Sequence, residues 1–242
     1  MTEDTSAYWR KLIGSDRSLG DAPLAKYRSG AAILRRPLYF LFSLISRLLF
    51  PVKAIGIENL RRLKPPYILS SNHTSTLDYG VLMLKLPYAV KERFYAQAAK
   101  DYYDIFFTRF IMQGFANVIR VDREGDFFPA LRSAAEVLRH GEPIFIAPEA
   151  ARSGSGELMP FKVGVGVLAV ELNIPVVPAY IKGAHEALPV GAFLVRPTPI
   201  TVTYGEPIDP QPYIEMKKVK QAYDVYKDLT EELRRRIIAL SR

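Results

Sequence analysis

The stretch "YILSSNHTSTLD", residues 67–78, holds the reading on which the fold turns. Tyr67 to Ser71 is a short run that reads as a strand, closed by a polar turn. Ser75-Thr76-Leu77-Asp78 then fits the [ST]-x-x-[DE] helix-start pattern, with Ser75 expected as the N-cap. A strand, a tight turn and a helix make the first half of a βαβ unit. The same alternation continues downstream. The runs "RFYAQAA" (93–99), "ANVIRV" (116–121), "PIFIAP" (143–148), "IPVVPAYI" (174–181) and "PITVTYG" (199–205) are short and rich in β-branched and aromatic residues. Between two of them Phe127, Leu131, Ala134 and Leu138 recur at helical spacing, with Gly141 as a stop signal. A further helix is expected over 163–172, where Gly164, Gly166 and Ala169 permit close packing on a sheet. The pattern predicts an α/β single domain with a largely parallel central sheet flanked by helices.

That topology gathers polar residues. The expected strands run into Asn72-His73, Lys100, Asp122-Arg123 and Pro148-Glu149, the last followed by Arg152. Open parallel sheets bind ligands at the carboxyl ends of their strands, so residues more than seventy positions apart are expected to meet in one cleft.

His73 and Asp78 cannot share a face of one continuous helix, because five positions turn about 140°. They can meet if His73 lies on the approach turn and Asp78 in the first helical turn. Asp78 would then fix the imidazole tautomer and leave the other ring nitrogen free as a base. Spacing alone leaves a second reading open, in which Asp78 only supports the helix start and His73 is a satisfied polar residue. The remaining candidates carry less. "HEALP" at His185 lacks the second histidine of a zinc HExxH motif, and His140 sits at a helix end where a polar group is structurally expected. "GVGVLA" lacks the third glycine of a dinucleotide site, "SGSGE" reads as a flexible turn, and no G-x-S-x-G elbow occurs.

Composition limits the partners. The 242 residues suffice for one sizeable core, and the absence of cysteine excludes disulfides, thiolate metal sites and a cysteine nucleophile, as suits a reducing cytoplasm. Of the net +8, +7 sits in residues 1–64, which hold 12 basic and 5 acidic side chains. A basic end on a nearly neutral body implies an anionic surface as partner. "RRPLYFLFSLISRLLFPVK" (35–53) supports a membrane over nucleic acid, since basic residues flank a short, aromatic-rich apolar stretch. Arg47 interrupts it well short of the roughly 20 residues needed to span a bilayer. Residues 1–34 precede it, which does not fit a signal peptide. The expected organisation is therefore a basic segment 1–54, with an amphipathic membrane-interface helix at about 31–52, followed by a domain at 55–242. A core helix docked on the body is the other reading of 31–52. The membrane reading predicts a peripheral or monotopic protein at the cytoplasmic face of a membrane.

Five blocks then resemble one known family. "NHTSTLD" is similar to the NHxxxxD motif of the glycerolipid acyltransferases, the family of lysophosphatidic acid acyltransferase. "AAKDYY" resembles its A-K-x-x-L segment with tyrosine for leucine, and "NVIRVDR" its second motif. "FIAPEAARSGSGELMPFKVG" is similar to the third, F-P-E-G-T-R-S followed by F-K-x-G, and "IPVVPAYI" to the fourth. The blocks keep the family's order over about residues 55 to 210. The resemblance implies acyl transfer from an acyl-CoA or acyl carrier protein thioester to the hydroxyl of a lysolipid. It implies His73 as general base, Asp78 as its orienting partner, and Lys100 with backbone N–H groups near His73 as oxyanion donors. Arg123 and Arg152 would clamp the acceptor phosphate, Glu149 would orient an arginine or the acceptor hydroxyl, and Lys162 would add positive charge. No metal or bound cofactor is implied. Ala150 and Ala151 depart from the family's Gly-Thr, and Arg120 replaces an apolar or proline residue. The acceptor is therefore left open among lysophosphatidic acid, another lysolipid, a lyso-amino-acid lipid and a glycolipid.

Overall fold

The computed structural model describes residues 5–14, 24, 33–99, 115–121 and 128–242. Seven strands form one sheet: β1 (Val52–Ile55), β2 (Ile68–Ser71), β3 (Tyr95–Ala99), β4 (Asn117–Val121), β5 (Ile144–Phe145), β6 (Val176–Lys182) and β7 (Ile200–Tyr204). Their spatial order is β1-β7-β6-β2-β5-β3-β4. β6 and β7 pair antiparallel, and every other pair runs parallel. Among the described residues the helices are α1 (Thr5–Ile13), α2 (Arg35–Leu49), α3 (Ile57–Arg61), α4 (Asp78–Leu84), α5 (Tyr88–Lys91), α6 (Phe128–Arg139), α7 (Gly164–Leu172), α8 (Ala184–Ala187), α9 (Gln211–Met216) and α10 (Ala222–Leu240).

β2 occupies the middle of the sheet, and all four of its residues are buried. A strand covered on both faces loses the polar alternation of a half-exposed one, which explains its continuous small and apolar reading. Successive side chains still take opposite faces. Ile68, Ile144 and Val176 enter a core built with α1, α6, α7 and α10. Leu69, Phe145 and Val177 enter a second core with Tyr39 of α2 and Val81 and Leu82 of α4.

All six expected strand runs are strands, and the two expected helices are α6 and α7, with Phe127 outside the described residues. Three features differ. β1 was not foreseen: "VKAI" is four residues long and alternates half-buried with exposed positions, too weak a signal to stand out. It pairs in register with β7 and takes residues from both sides of the expected 54/55 division. Residues 1–30, whose Gly14, Gly20, Pro23 and Gly30 read as an irregular or weakly helical start, contain the regular helix α1, held by Trp9 against Phe128 and Tyr226, with ring centroids 5.9 and 6.4 Å away. Gly166 provides close packing against a helix and not the sheet, since a Cβ there would lie 2.2 Å from the Tyr226 carbonyl oxygen of α10.

α2 joins both readings of the N-terminal apolar stretch. Its inner face is docked: Tyr39 packs edge-on to Phe115 at 4.8 Å, and the buried Arg35 guanidinium donates to Glu92 O (3.0 Å) and Asn117 Oδ1 (3.1 Å). Its outer face leaves Phe40, Leu41, Leu44 and Leu48 exposed. Residues 31–32 lie outside the described residues, and no described helix is long and apolar enough to cross a membrane.

Candidate active site

The site lies where β2 and β5 end. After Ser71 the chain leaves the sheet, but Asn72 extends the β2–β6 pairing with its side chain: Nδ2 donates to Ile181 O (3.0 Å) and Oδ1 accepts from Ile181 N (2.8 Å). That two-point clamp fixes the residue before His73. The helix itself begins at Asp78, later than a Ser75 N-cap would place it. Ser75 instead uses its hydroxyl locally, accepting from Leu77 N (3.2 Å) and donating to Leu188 O (2.7 Å).

Asp78 is wholly buried, and its bonding converges on one oxygen. Oδ2 accepts from Thr74 N (2.7 Å) and Ser75 N (2.9 Å) and lies 2.8 Å from His73 Nδ1. Among the described residues Oδ1 has no hydrogen-bond partner. A carboxylate anchored by two amides accepts the Nδ1 proton, so the lone pair falls on Nε2. The His73 side chain keeps 24% exposure, and no described residue bonds Nε2. The arrangement is therefore an imidazole whose tautomer is held by a buried carboxylate and whose side chain remains partly exposed, a geometry that could serve a base.

A second carboxylate braces the same histidine through its backbone. Glu149 follows β5, is buried, and accepts His73 N at Oε1 (2.8 Å) and Met159 N at Oε2 (2.7 Å). Burial raises its pKa, opposed by those two N–H bonds. Both Glu149 oxygens hold main chain, one on each of the two loops that meet at His73. Ser153 N donates to His73 O (2.8 Å), so the loop after β5 grips both sides of the His73 peptide unit. Arg152 Nη1 donates to Thr76 Oγ1 (2.6 Å), which puts a guanidinium beside the His73 turn. Lys162 is tied by its backbone N–H to Pro148 O (2.8 Å), with its side chain exposed.

The structure thus brings His73, Asp78, Glu149 and Arg152 together and leaves Lys162 near them. Lys100 and Arg123 lie outside the described residues. The amides near His73, expected as oxyanion donors, are mostly committed: those of residues 73, 74, 75 and 77 already bond Glu149, Asp78 and Ser75. Among the described residues only the Thr76 N–H of that turn keeps no acceptor. Among them, too, no group of three or more His, Asp or Glu side chains is placed to share a metal ion. Sequence reasoning missed Asn72 as a positioning residue; its place at a strand end was the available signal. It also left "SGSGE" as a turn, although Ser153 is buried and bonded to the histidine peptide.

Comparison with known proteins identifies the family. The family model described as Acyltransferase matches residues 51–182. A 1-acyl-sn-glycerol-3-phosphate acyltransferase of Limnanthes alba is 33% identical over 184 residues, which is 71% of this chain and 62% of that protein. The Homo sapiens 1-acyl-sn-glycerol-3-phosphate acyltransferase alpha is 31% identical over 121 residues, 47% of this chain and 39% of that one. The crystal structure of the 1-acyl-sn-glycerophosphate (LPA) acyltransferase PlsC from Thermotoga maritima superposes with a TM-score of 0.61 at 20% identity, covering all of this chain and 84% of that one. At that identity the likeness is one of fold. The chain spans 62% of the length of the two Limnanthes relatives it matches.

Proposed function

This chain belongs to the Acyltransferase family, and from that premise we propose that it is a membrane-surface O-acyltransferase. It moves a fatty acyl chain from an acyl-CoA or acyl carrier protein thioester to the hydroxyl of a lysophospholipid such as 1-acyl-glycerol-3-phosphate. The names of its relatives support the acceptor class. The observation that carries the chemistry is the 2.8 Å contact between His73 Nδ1 and the buried Asp78, with the ring's outer edge exposed.

In this mechanism His73 Nε2 takes the acceptor's hydroxyl proton as the oxygen attacks the thioester carbonyl. A C–O bond forms, a tetrahedral oxyanion collapses, the C–S bond breaks, and the departing thiolate takes the proton from the imidazolium. Asp78 stabilises that imidazolium and keeps the ring in place. The oxyanion draws on Lys100 and the uncommitted Thr76 N–H, a class of interaction worth about 10² or more in rate. Arg152, Arg123 and Lys162 supply cations for the acceptor's phosphate. α2 lies in the bilayer interface with its outer apolar face down, at the cytoplasmic face of a membrane. Because Ala150-Ala151 replace Gly-Thr beside Arg152, a different lysolipid or a glycolipid is the second acceptor reading.

The test is a panel of lysolipid acceptors assayed with both thioester carriers. Acyl transfer is expected, and His73→Ala should lower kcat by about 10²–10⁴. Thiol release unaffected by any acceptor would make the protein a thioester hydrolase. Lipid binding with no turnover on any pair would make it a non-catalytic module.

A further inference from the structure

The outer face of α2 is not the only apolar surface without a cover. Phe193 and Leu194 are 97% and 84% exposed at the tip of the connection between α8 and β7. A free chain would fold such residues away, yet this tip is built to present them. Ala192 N closes a turn on Pro189 O (3.1 Å), and Arg196 N returns to Ala187 O (2.8 Å), closing the base of the loop. Its entry is pinned where Ser75 Oγ donates to Leu188 O, on the turn that carries His73. Its exit is pinned to the end of α2 and the residues just after it, by Thr198 N on Leu49 O (3.0 Å) and Ile200 N on Pro51 O (3.0 Å). α2 in turn seats on α4, where the absence of a side chain at Gly80 admits the Phe42 ring; a Cβ there would lie 2.8 Å from it.

Two exposed apolar elements are therefore fastened to each other and to the catalytic turn. Exposed apolar surface concentrated in this way marks an interaction site. Its charge says which kind. Residues 33–57 and 187–205 contain no acidic side chain, while Arg36, Arg47, Lys53 and Arg196 are exposed within them. Within these segments the charge is cationic, with acidic side chains only at their flanks (Glu58, Glu186 and Glu206). Apolar side chains beside such cations complement an anionic bilayer, whose headgroups meet the cations while the rings and methyls pass below them.

The geometry points to the 189–194 tip as a second bilayer-inserting element, acting with α2 to hold the His73 turn at an anionic membrane surface. This rests on the membrane-surface reading above, and adds a contact that reading does not need. The tip and α2 then share the load of binding. The mouth of the site is held at the level where a lysolipid hydroxyl emerges.

The test uses the full chain and sedimentation with vesicles of phosphatidylglycerol and phosphatidylcholine, with pure phosphatidylcholine as control. Phe193→Asp/Leu194→Asp should weaken binding to the anionic vesicles by roughly 10-fold or more, since two side chains lose their burial. Phe40→Asp/Leu48→Asp on α2 serves as the reference variant, and circular dichroism checks that both remain folded. A second measurement does not depend on loss: Leu194→Trp should be quenched by brominated lipid, because Trp9 is buried between Phe128 and Tyr226. If the α2 variant loses binding while Phe193→Asp/Leu194→Asp binds as wild type and the indole of Leu194→Trp is not quenched, the second contact is overturned and the membrane reading survives. If wild type ignores anionic vesicles, the membrane reading itself fails. If the tip variant keeps vesicle binding but loses binding to acyl carrier protein, the tip is a protein contact and the inference is wrong.

Discussion

Ala150 sits between the carboxylate that braces His73 and the guanidinium beside Thr76, and its backbone is left-handed, with φ 61°. A Cβ in that region is crowded by the following carbonyl, at roughly 1–2 kcal/mol. Glycine suffers no such crowding but loses more freedom on folding, about 0.4–1 kcal/mol. Ala150→Gly should therefore stabilise the protein by about 0.5–1 kcal/mol, read as a higher urea midpoint with unchanged slope. A lower midpoint would show that the alanine methyl makes contacts outweighing the strain. The strain lies at the site's edge and not in the core, as functional loops often have it. The left-handed φ at Ala150 is one that glycine suits better, which is where this sequence departs from the motif's glycine. Asn72 works at the same scale. It replaces a missing backbone pair with an amide that both donates to and accepts from Ile181, 109 positions away.

At the scale of elements, the site is the junction of two strand-to-loop transitions, β2 into α4 and β5 into the loop that carries Arg152. Glu149 is the fastener between them, with one oxygen on each loop. Its pKa stands above the ordinary value of 4.5, chiefly because burial disfavours the charged form. The stabilisation tied to that shift is complete below about 4.5 and is lost as pH rises through the folded pKa, where the folded state holds the proton longer than the unfolded chain. Glu149→Gln should cost about 1–3 kcal/mol, because an amide nitrogen cannot accept from His73 N or Met159 N. That penalty should shrink as pH rises, since the variant has no ionisation to disfavour. Urea unfolding of both proteins from about pH 4 to pH 7 measures it. A penalty that grows with pH would mean the N–H bonds outweigh the burial.

Over the whole molecule, α1 is joined to the C-terminal helices by one buried carboxylate. Glu171 of α7 accepts from Ser6 Oγ (3.1 Å), Lys217 Nζ (2.7 Å) and the Tyr226 hydroxyl, and stands 3.6 Å from Arg10. Burial and that carboxylate together keep the Tyr226 phenol protonated. The knot links residue 6 to residue 217, so α1 is packed on the body. Glu171→Ala should cost about 3 kcal/mol, the scale of stripping one partner from a buried ion pair. Hydrogen exchange should quicken along α1 (Thr5–Ile13). Unchanged exchange there would show that Trp9 packing alone holds the helix.

Sequence by itself determined the local layer of this protein. Side-chain alternation and helical spacing are properties of consecutive residues, so the six strand runs, α6, α7 and the apolar face of α2 were legible without coordinates. His73 and Asp78 stand five positions apart across one turn, so spacing allowed them to meet while leaving a second reading open, and the family resemblance favoured the pair. Tertiary structure alone decided which distant groups meet. That Glu149 would hold main chain at position 73, that Asn72 would reach Ile181, and that Gly166 would admit a helix all depend on strand order and register. Those are fixed by how two cores close on opposite faces of the sheet, and no local periodicity encodes that.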